Sequence, residues 1–368
     1  MHRKEMVLFT DKPLNLASHV QLKNITVAYE TYGSLNKNSS NAILITHALT
    51  GDAHVAKHSD DDQEGWWDDF VGAGKMLDTD TYFLICINVL GGCYGSTGPQ
   101  SFNPETNQPY LLDFPTIHAS DMVRVQKELL SQLGIDHLFC VVGGSMGGIQ
   151  ATQWAIDYPD FISGVINLAS PLASSPENVG FNHVMRQLIL SDPQFKKGRY
   201  TEQPPMLAHA RMLAMLTYRT DRMLDTQFSM APLNENTTTT ESWHQLFDVE
   251  SYLNYQGEKF IQRFDALSFL YLTRMIDLFD AVSPNQKSTS IATVRTPYLY
   301  IAFKEDQLFK IEQCRFARTI LEANNVPVTY HELSSIYGHD AFLIESAKIS
   351  PLVSQFLAKN KKKTSPAS

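Results

Sequence analysis

Apolar residues in this chain fall in short unbroken runs, with amphipathic segments between them. Ala42-Ile43-Leu44-Ile45-Thr46 is one such run, and Tyr82 to Val89 and Gly164 to Ala169 are others. Runs of this kind, without polar alternation, read as strands buried on both faces. Asp121 to Leu133 sets Met122, Val125, Leu129 and Leu133 on one helical face, with Gly134 placed to end the helix. The apolar run His137 to Val142 follows, and then an amphipathic segment from Gly148 to Ile156. Strands alternating with helices predict an α/β fold: a mostly parallel sheet with helices on both faces.

That rhythm stops between Pro171 and Ala292. The stretch is rich in Met, Gln, Arg and Tyr and reads as mainly helical, for example over Met206 to Tyr218. The sheet pattern resumes at Val294, with Pro297 to Phe303 and Val326 to Glu332 as the next strands. The expected organisation is a core of residues 1–170 and 293–358 with a helical lid, 171–292, folded over the C-terminal ends of the strands. Residues 359–368 form a charged tail that reads as disordered. There are no internal repeats.

Composition narrows the function classes. The 368 residues suit one large domain with an insertion, and 43% hydrophobic residues can fill a substantial core. A net charge of −9 gives no electrostatic reason to expect nucleic acid or an anionic membrane as a partner. No run of 18 apolar residues is present to span a bilayer, and Met1 to Met6 lead into no signal-like apolar segment. Cys86, Cys93, Cys140 and Cys314 lack metal-ligand spacing and read as small buried hydrophobes in a reducing cytoplasm.

The chemistry concentrates at Gly143-Gly144-Ser145-Met146-Gly147, a Gly-x-Ser-x-Gly pentapeptide between a strand and a helix. In that context the pattern marks a nucleophile elbow. The sharp turn lifts the serine oxygen to the end of the strand, at a helix N-terminus where developing negative charge is favoured. A serine nucleophile needs a base and an orienting acid, which this arrangement places later in the chain in the order acid, then histidine. Asp306 lies just past the 297–303 run, and His339 follows Gly338 in the loop after 326–332. Glu305 is a rival orienter. The bland readings are a strand-ending carboxylate and a loop histidine. For the oxyanion, backbone N–H groups are expected from Met146 and from Leu49, in the loop after the 42–46 strand. His47, Asp52 and His54 in that loop have metal-ligand chemistry, but a serine mechanism leaves a metal no role; no metal or cofactor is expected.

These residues carry a resemblance. His47-Ala48-Leu49-Thr50-Gly51-Asp52-Ala53-His54, Gly65-Trp66-Trp67-Asp68, Asn88 to Pro99, Gly143 to Gly148, Gln262-Arg263-Phe264-Asp265-Ala266 and Gly338 to Leu343 resemble the homoserine O-acetyltransferase family of α/β-hydrolase-fold acyltransferases. The likeness spans roughly residues 15–357. It implies a ping-pong transfer of an acetyl group from acetyl-coenzyme A to L-homoserine through Ser145, in methionine biosynthesis, by a cytoplasmic homodimer. It also implies that Arg211 holds the homoserine carboxylate and Asp340 its amine. Without the resemblance, Arg211 reads as a surface arginine, Asp340 as the cap of the helix that follows it, and Tyr218 as packing or a pocket wall. The chain departs from the family pattern at Glu305, Gln307 and Lys310 around Asp306, and at Leu267, where asparagine is usual. In succinyl-transferring relatives an arginine commonly stands where this chain has Leu308. Alternatives kept open are a homoserine O-succinyltransferase, a serine O-acyltransferase, a serine esterase of the same fold and a non-enzymatic binding protein.

Overall fold

The computed structural model describes residues 2–231, 246–283 and 291–364. Eight strands form one sheet: β1 (Lys4–Leu8), β2 (Ile25–Tyr32), β3 (Ala42–Thr46), β4 (Phe83–Ile87), β5 (Cys140–Gly144), β6 (Val165–Leu168), β7 (Tyr298–Phe303) and β8 (Val328–Leu333). Their order across the sheet is β1-β2-β4-β3-β5-β6-β7-β8. The first two pairings, β1 with β2 and β2 with β4, are antiparallel; all others are parallel. The expected parallel sheet is present. The antiparallel pairing at its edge was not legible, because Lys4–Leu8 is a largely exposed edge strand whose apolar run is short and begins with two charged residues.

Alternate residues of each central strand feed opposite sides of the sheet. Ala42 and Leu44 join one core, which α1 (Ala119–Gln132) and α2 (Met146–Asp157) cover; Ile43 and Ile45 join the other. This is why these strands are apolar throughout. The other side is closed by the 53–77 segment and by α10 (Ser346–Thr364). That helix runs to Thr364, and Asn360 is buried, so 359–364, expected as part of a disordered tail, are helical; residues 365–368 lie outside the described residues. The charge run Lys361-Lys362-Lys363 misled the reading, because lysines extend a helix as readily as they solvate a coil.

Between β6 and β7 the described chain forms α3 (Pro176–Ser191), α4 (Met206–Tyr218), α5 (Asp221–Gln227), α6 (Asp248–Ile261) and α7 (Ala266–Leu278). Part of the expected lid, 232–245 and 284–290, lies outside the described residues. Side-chain caps start several of these helices. Ser175 Oγ accepts from Asn178 N (3.2 Å), Thr220 Oγ1 from Met223 N (3.0 Å), and Asp265 Oδ1 from Ser268 N (2.9 Å). Leu267, the departure from asparagine, is fully buried in α7 and packs beside Gly198. Helix α8 (Ile311–Ala323) and the short α9 (Ala341–Ile344) flank the last two strands.

A buried relay links α1, α2 and the loop after β3. Trp154 Nε1 donates to Gln126 Oε1 (2.8 Å), Gln126 Nε2 to Gln150 Oε1 (2.7 Å), and Gln150 Nε2 to the His47 carbonyl (3.2 Å). Trp154→Phe should therefore leave the Gln126 acceptor unpaired and destabilise the fold by about 1–3 kcal/mol. Urea unfolding checks this: the midpoint should fall with the slope unchanged. An unaltered midpoint would remove the relay from the stability account.

Candidate active site

The strand order places the ends of β3, β5, β7 and β8 at one edge of the sheet, and the loops leaving them meet there. Ser145 caps α2 with φ 56° and ψ −124°, a left-handed backbone rarely adopted by a residue with a side chain. The turn is that tight because β3 crowds it. A Cβ at Gly147 would fall on the carbonyl oxygen of Thr46. Thr46 Oγ1 also donates to the Gly147 carbonyl at 2.8 Å, tying the end of β3 to the turn.

His339 lies in a single helical turn, Gly338–Asp340, after β8. Gly338 has φ 59°, and a side chain there would press on the Tyr218 carbonyl, so glycine lets the loop lie against the end of α4. His339 Nε2 stands 2.8 Å from Ser145 Oγ, and His339 Nδ1 stands 2.7 Å from Asp306 Oδ2. Asp306, three residues past β7, also accepts from the backbone N–H groups of Leu308 and Phe309 at 2.9 Å each. All three side chains are buried. Glu305 does not compete: its Oε2 accepts from Ser335 N at 2.8 Å, steadying the loop that leads to His339. Gln307, the departure next to Asp306, is exposed.

Burial alone would lower the His339 pKa, but the charge and hydrogen bond of Asp306, with help from Asp340, outweigh it and raise it above the ordinary value. Such an imidazole is neutral only at higher pH, and Asp306 stabilises the cation it becomes on taking a proton. Because the folded value is raised, the coupling stabilises the fold fully below the ordinary histidine pKa. That stability is lost as pH rises through the folded value.

Ser145 and His339 open into a cleft of about 480 Å³. Leu49 and Asp52 of the loop after β3 line it, as do Trp66, and Arg211 and Tyr218 of α4. Met146 N–H begins α2, where no carbonyl of the helix's own preceding turn can accept it. The Arg211 guanidinium is stacked over the rings of Phe260 (5.1 Å) and Tyr218 (5.5 Å). It makes no ion pair among the described residues. Asp340 lines the same cleft and makes no side-chain cap to α9; its carboxylate pairs with Arg219 at 3.1 Å.

The sequence reading gave no role to Arg219, or to Lys259 and Arg263, which also line the cleft. Arg263 Nη1 donates to the Thr50 carbonyl (2.8 Å) and to Tyr94 Oη (3.0 Å), binding the end of α6 to the loop after β3. The Gln262 to Ala266 string carried the signal for Arg263 without naming its partners. The suspected His47, Asp52, His54 cluster is not assembled. His47 Nδ1 donates to the Ala48 carbonyl (2.8 Å) and its Nε2 accepts from Val89 N (3.2 Å), so neither ring nitrogen is available. Leu308 packs against the core and does not line the cleft.

Residues 41–345 match the family model described as the alpha/beta hydrolase fold. A homoserine O-acetyltransferase of Pasteurella multocida (strain Pm70) is 51% identical over 350 residues, covering 94% of this chain and 95% of that protein. Among solved structures, the homoserine O-acetyltransferase of Bacillus anthracis aligns with a TM-score of 0.88 at 28% identity, over 96% of this chain and 97% of that one. Esterase E22 aligns with a TM-score of 0.87, also at 28% identity, over 96% and 99%.

The coupling of His339 to Asp306 makes a measurable demand. An NMR titration of the His339 ring should give a midpoint above the ordinary 6.5. Asp306→Asn should move that midpoint down. A native midpoint at or below 6.5 would contradict the coupling.

Proposed function

The chain belongs to the homoserine O-acetyltransferase family of the α/β-hydrolase fold, and from that premise we propose that it transfers an acetyl group from acetyl-coenzyme A to the hydroxyl of L-homoserine. One observation carries the reading. The Ser145–His339–Asp306 relay opens into a cleft whose wall bears a half-buried guanidinium, Arg211, and a carboxylate, Asp340. Those two groups match the carboxylate and ammonium of an amino acid.

In the proposed mechanism His339 Nε2 takes the Ser145 proton as Oγ attacks the thioester carbonyl. The N–H groups of Leu49 and Met146 receive the oxyanion. Collapse expels the coenzyme A thiolate, which leaves with the proton from His339. The homoserine hydroxyl then attacks the acyl-serine while His339 removes its proton. Collapse releases O-acetyl-homoserine and returns the proton to Ser145. Arg211 holds the acceptor carboxylate by two parallel hydrogen bonds, and Asp340 holds the amine while Arg219 fixes its orientation.

Acetyl rather than succinyl transfer follows the resemblance, since Leu308 stands where succinyl-transferring relatives commonly carry an arginine, and Lys310, a neighbouring candidate, is paired with Glu177 at 2.7 Å. The neutral Leu308 offers a second carboxylate no partner. Cytoplasmic methionine biosynthesis belongs to the same reading, and all four cysteines are free thiols, as a reducing compartment requires. The homodimer implied by the resemblance is part of it too. Among the described residues no helix is long and apolar enough to cross a membrane. Ester hydrolysis is the second reading, favoured by the likeness to esterase E22.

A coenzyme A release assay separates these readings. Release from acetyl-coenzyme A should require homoserine for turnover and vanish in Ser145→Ala; equal turnover with water alone would favour the hydrolase. Arg211→Ala should raise the homoserine KM about 30-fold or more, since losing a desolvated charged partner costs roughly 2–5 kcal/mol, while acylation of Ser145 is affected less. An unchanged KM would take Arg211 out of the acceptor site. Succinyl-coenzyme A should be the poorer donor, and Leu308→Arg should shift preference toward it. Equal or better use of succinyl-coenzyme A by the native chain would overturn the donor assignment.

A further inference from the structure

Three side chains given no part in the proposed acyl transfer converge beside the cleft, where His54 forms part of its wall. Glu30 stands on β2, and His54 and His58 stand on the segment that follows β3. We propose that Glu30, His54 and His58 form a binding site for one divalent transition-metal ion, with zinc as the best match to the donors.

The ligand atoms are already gathered. Glu30 Oε2 lies 3.0 Å from His54 Nδ1 and 2.9 Å from His58 Nε2, and the three atoms lie within 4.8 Å of one another. Around a tetrahedral zinc with bonds of about 2.0–2.1 Å, ligand atoms stand about 3.3 Å apart. An ion therefore enters with a small outward shift and no change of fold.

Hydrogen bonding at the cluster also favours an ion. Without one, the single oxygen Glu30 Oε2 must serve three donors, because Tyr32 Oη also reaches it at 2.9 Å. His54 faces acceptors on both ring nitrogens, Glu30 at Nδ1 and the Gln63 carbonyl at Nε2 (2.8 Å). A neutral imidazole has only one N–H to give. With an ion present, the His54 Nδ1 lone pair binds it while Nε2–H keeps the Gln63 carbonyl. Metal-ligating histidines usually donate their second nitrogen in this way.

The other ligands are held in place. The His58 ring is stacked between Tyr32 and His2, with centroids at 4.3 and 4.0 Å, and Glu30 is buried. Two imidazoles and one carboxylate suit zinc and its neighbours better than magnesium or calcium, which prefer all-oxygen sites. The fourth position is left for water. The ion would clamp β2 to the 52–66 segment, which supplies Asp52 and Trp66 to the cleft wall.

The test uses the untagged full chain freed of metal with a chelator. Zinc is titrated in competition with a chromophoric chelator, thermal unfolding is followed with and without zinc, and cobalt(II) is added as a spectroscopic probe. We expect one zinc per chain, a higher Tm with zinc, and visible cobalt bands of tetrahedral intensity. His58→Ala, which removes a partly buried ring outside the cleft lining, should fold as native by circular dichroism. It should also lose at least tenfold in zinc affinity along with the Tm shift. Glu30→Gln should do the same if it folds, and His137→Ala, remote from the cluster, should bind as native. Absence of stoichiometric binding would overturn the proposal and leave a proton-bridged histidine–carboxylate cluster. So would native-like affinity in His58→Ala.

Discussion

The site depends on one strained residue. Ser145 is held at φ 56°, a conformation that costs on the order of 1–3 kcal/mol for a residue with a side chain. Its surroundings leave no other choice. Its N–H is fixed to the Leu168 carbonyl of β6 at 3.0 Å. Thr46 at the end of β3 donates to both the Val142 carbonyl (3.1 Å) and the Gly147 carbonyl (2.8 Å), bracketing the turn. The glycine at 147 exists because no side chain fits between the turn and β3. The neighbouring strands thus hold the turn, and the loop that leaves β3 brings Leu49 into the lining of the same cleft as Ser145.

The cleft wall carries charges of both signs. Arg211 is desolvated, which weakens its hold on its proton, and its guanidinium rests on two aromatic faces rather than on a carboxylate. Asp340 is not free in the same sense, because Arg219 holds one of its oxygens. Of these two groups, the cation has no carboxylate partner among the described residues while the anion has Arg219. That polarity fits the proposed acceptor, whose carboxylate would complete what Arg211 lacks.

A structure named as an esterase and one named as a homoserine O-acetyltransferase align with this chain about equally well, so the fold by itself does not choose between water and an amino-acid alcohol. On the proposed reading, the choice lies in the helices between β6 and β7. They bring Arg211, Tyr218 and Arg263 over the strand ends and close one side of the cleft. An acceptor bound there gains a high local concentration at the acyl-serine that water does not match.

Much of this protein was legible without coordinates. Continuous apolar strands alternating with helices required a parallel sheet. The Gly-x-Ser-x-Gly turn, Asp306 and His339 could be named because chain order and strand ends are local features, and Met206 to Tyr218 was bounded correctly because its composition favours helix throughout. Pairings between distant segments were not legible. Nothing in the sequence near Asp340 points to Arg219, and nothing near Glu305 says that it serves Ser335 and not His339. His54 was grouped with His47 and Asp52 because they are neighbours in the chain. The sheet instead turns His47 toward β4 and sets His54 beside Glu30, 24 residues earlier. Periodicity records which face of an element is buried. Only the packed structure decides which polar groups share that burial, because desolvation forces each to find a partner wherever the fold brings one.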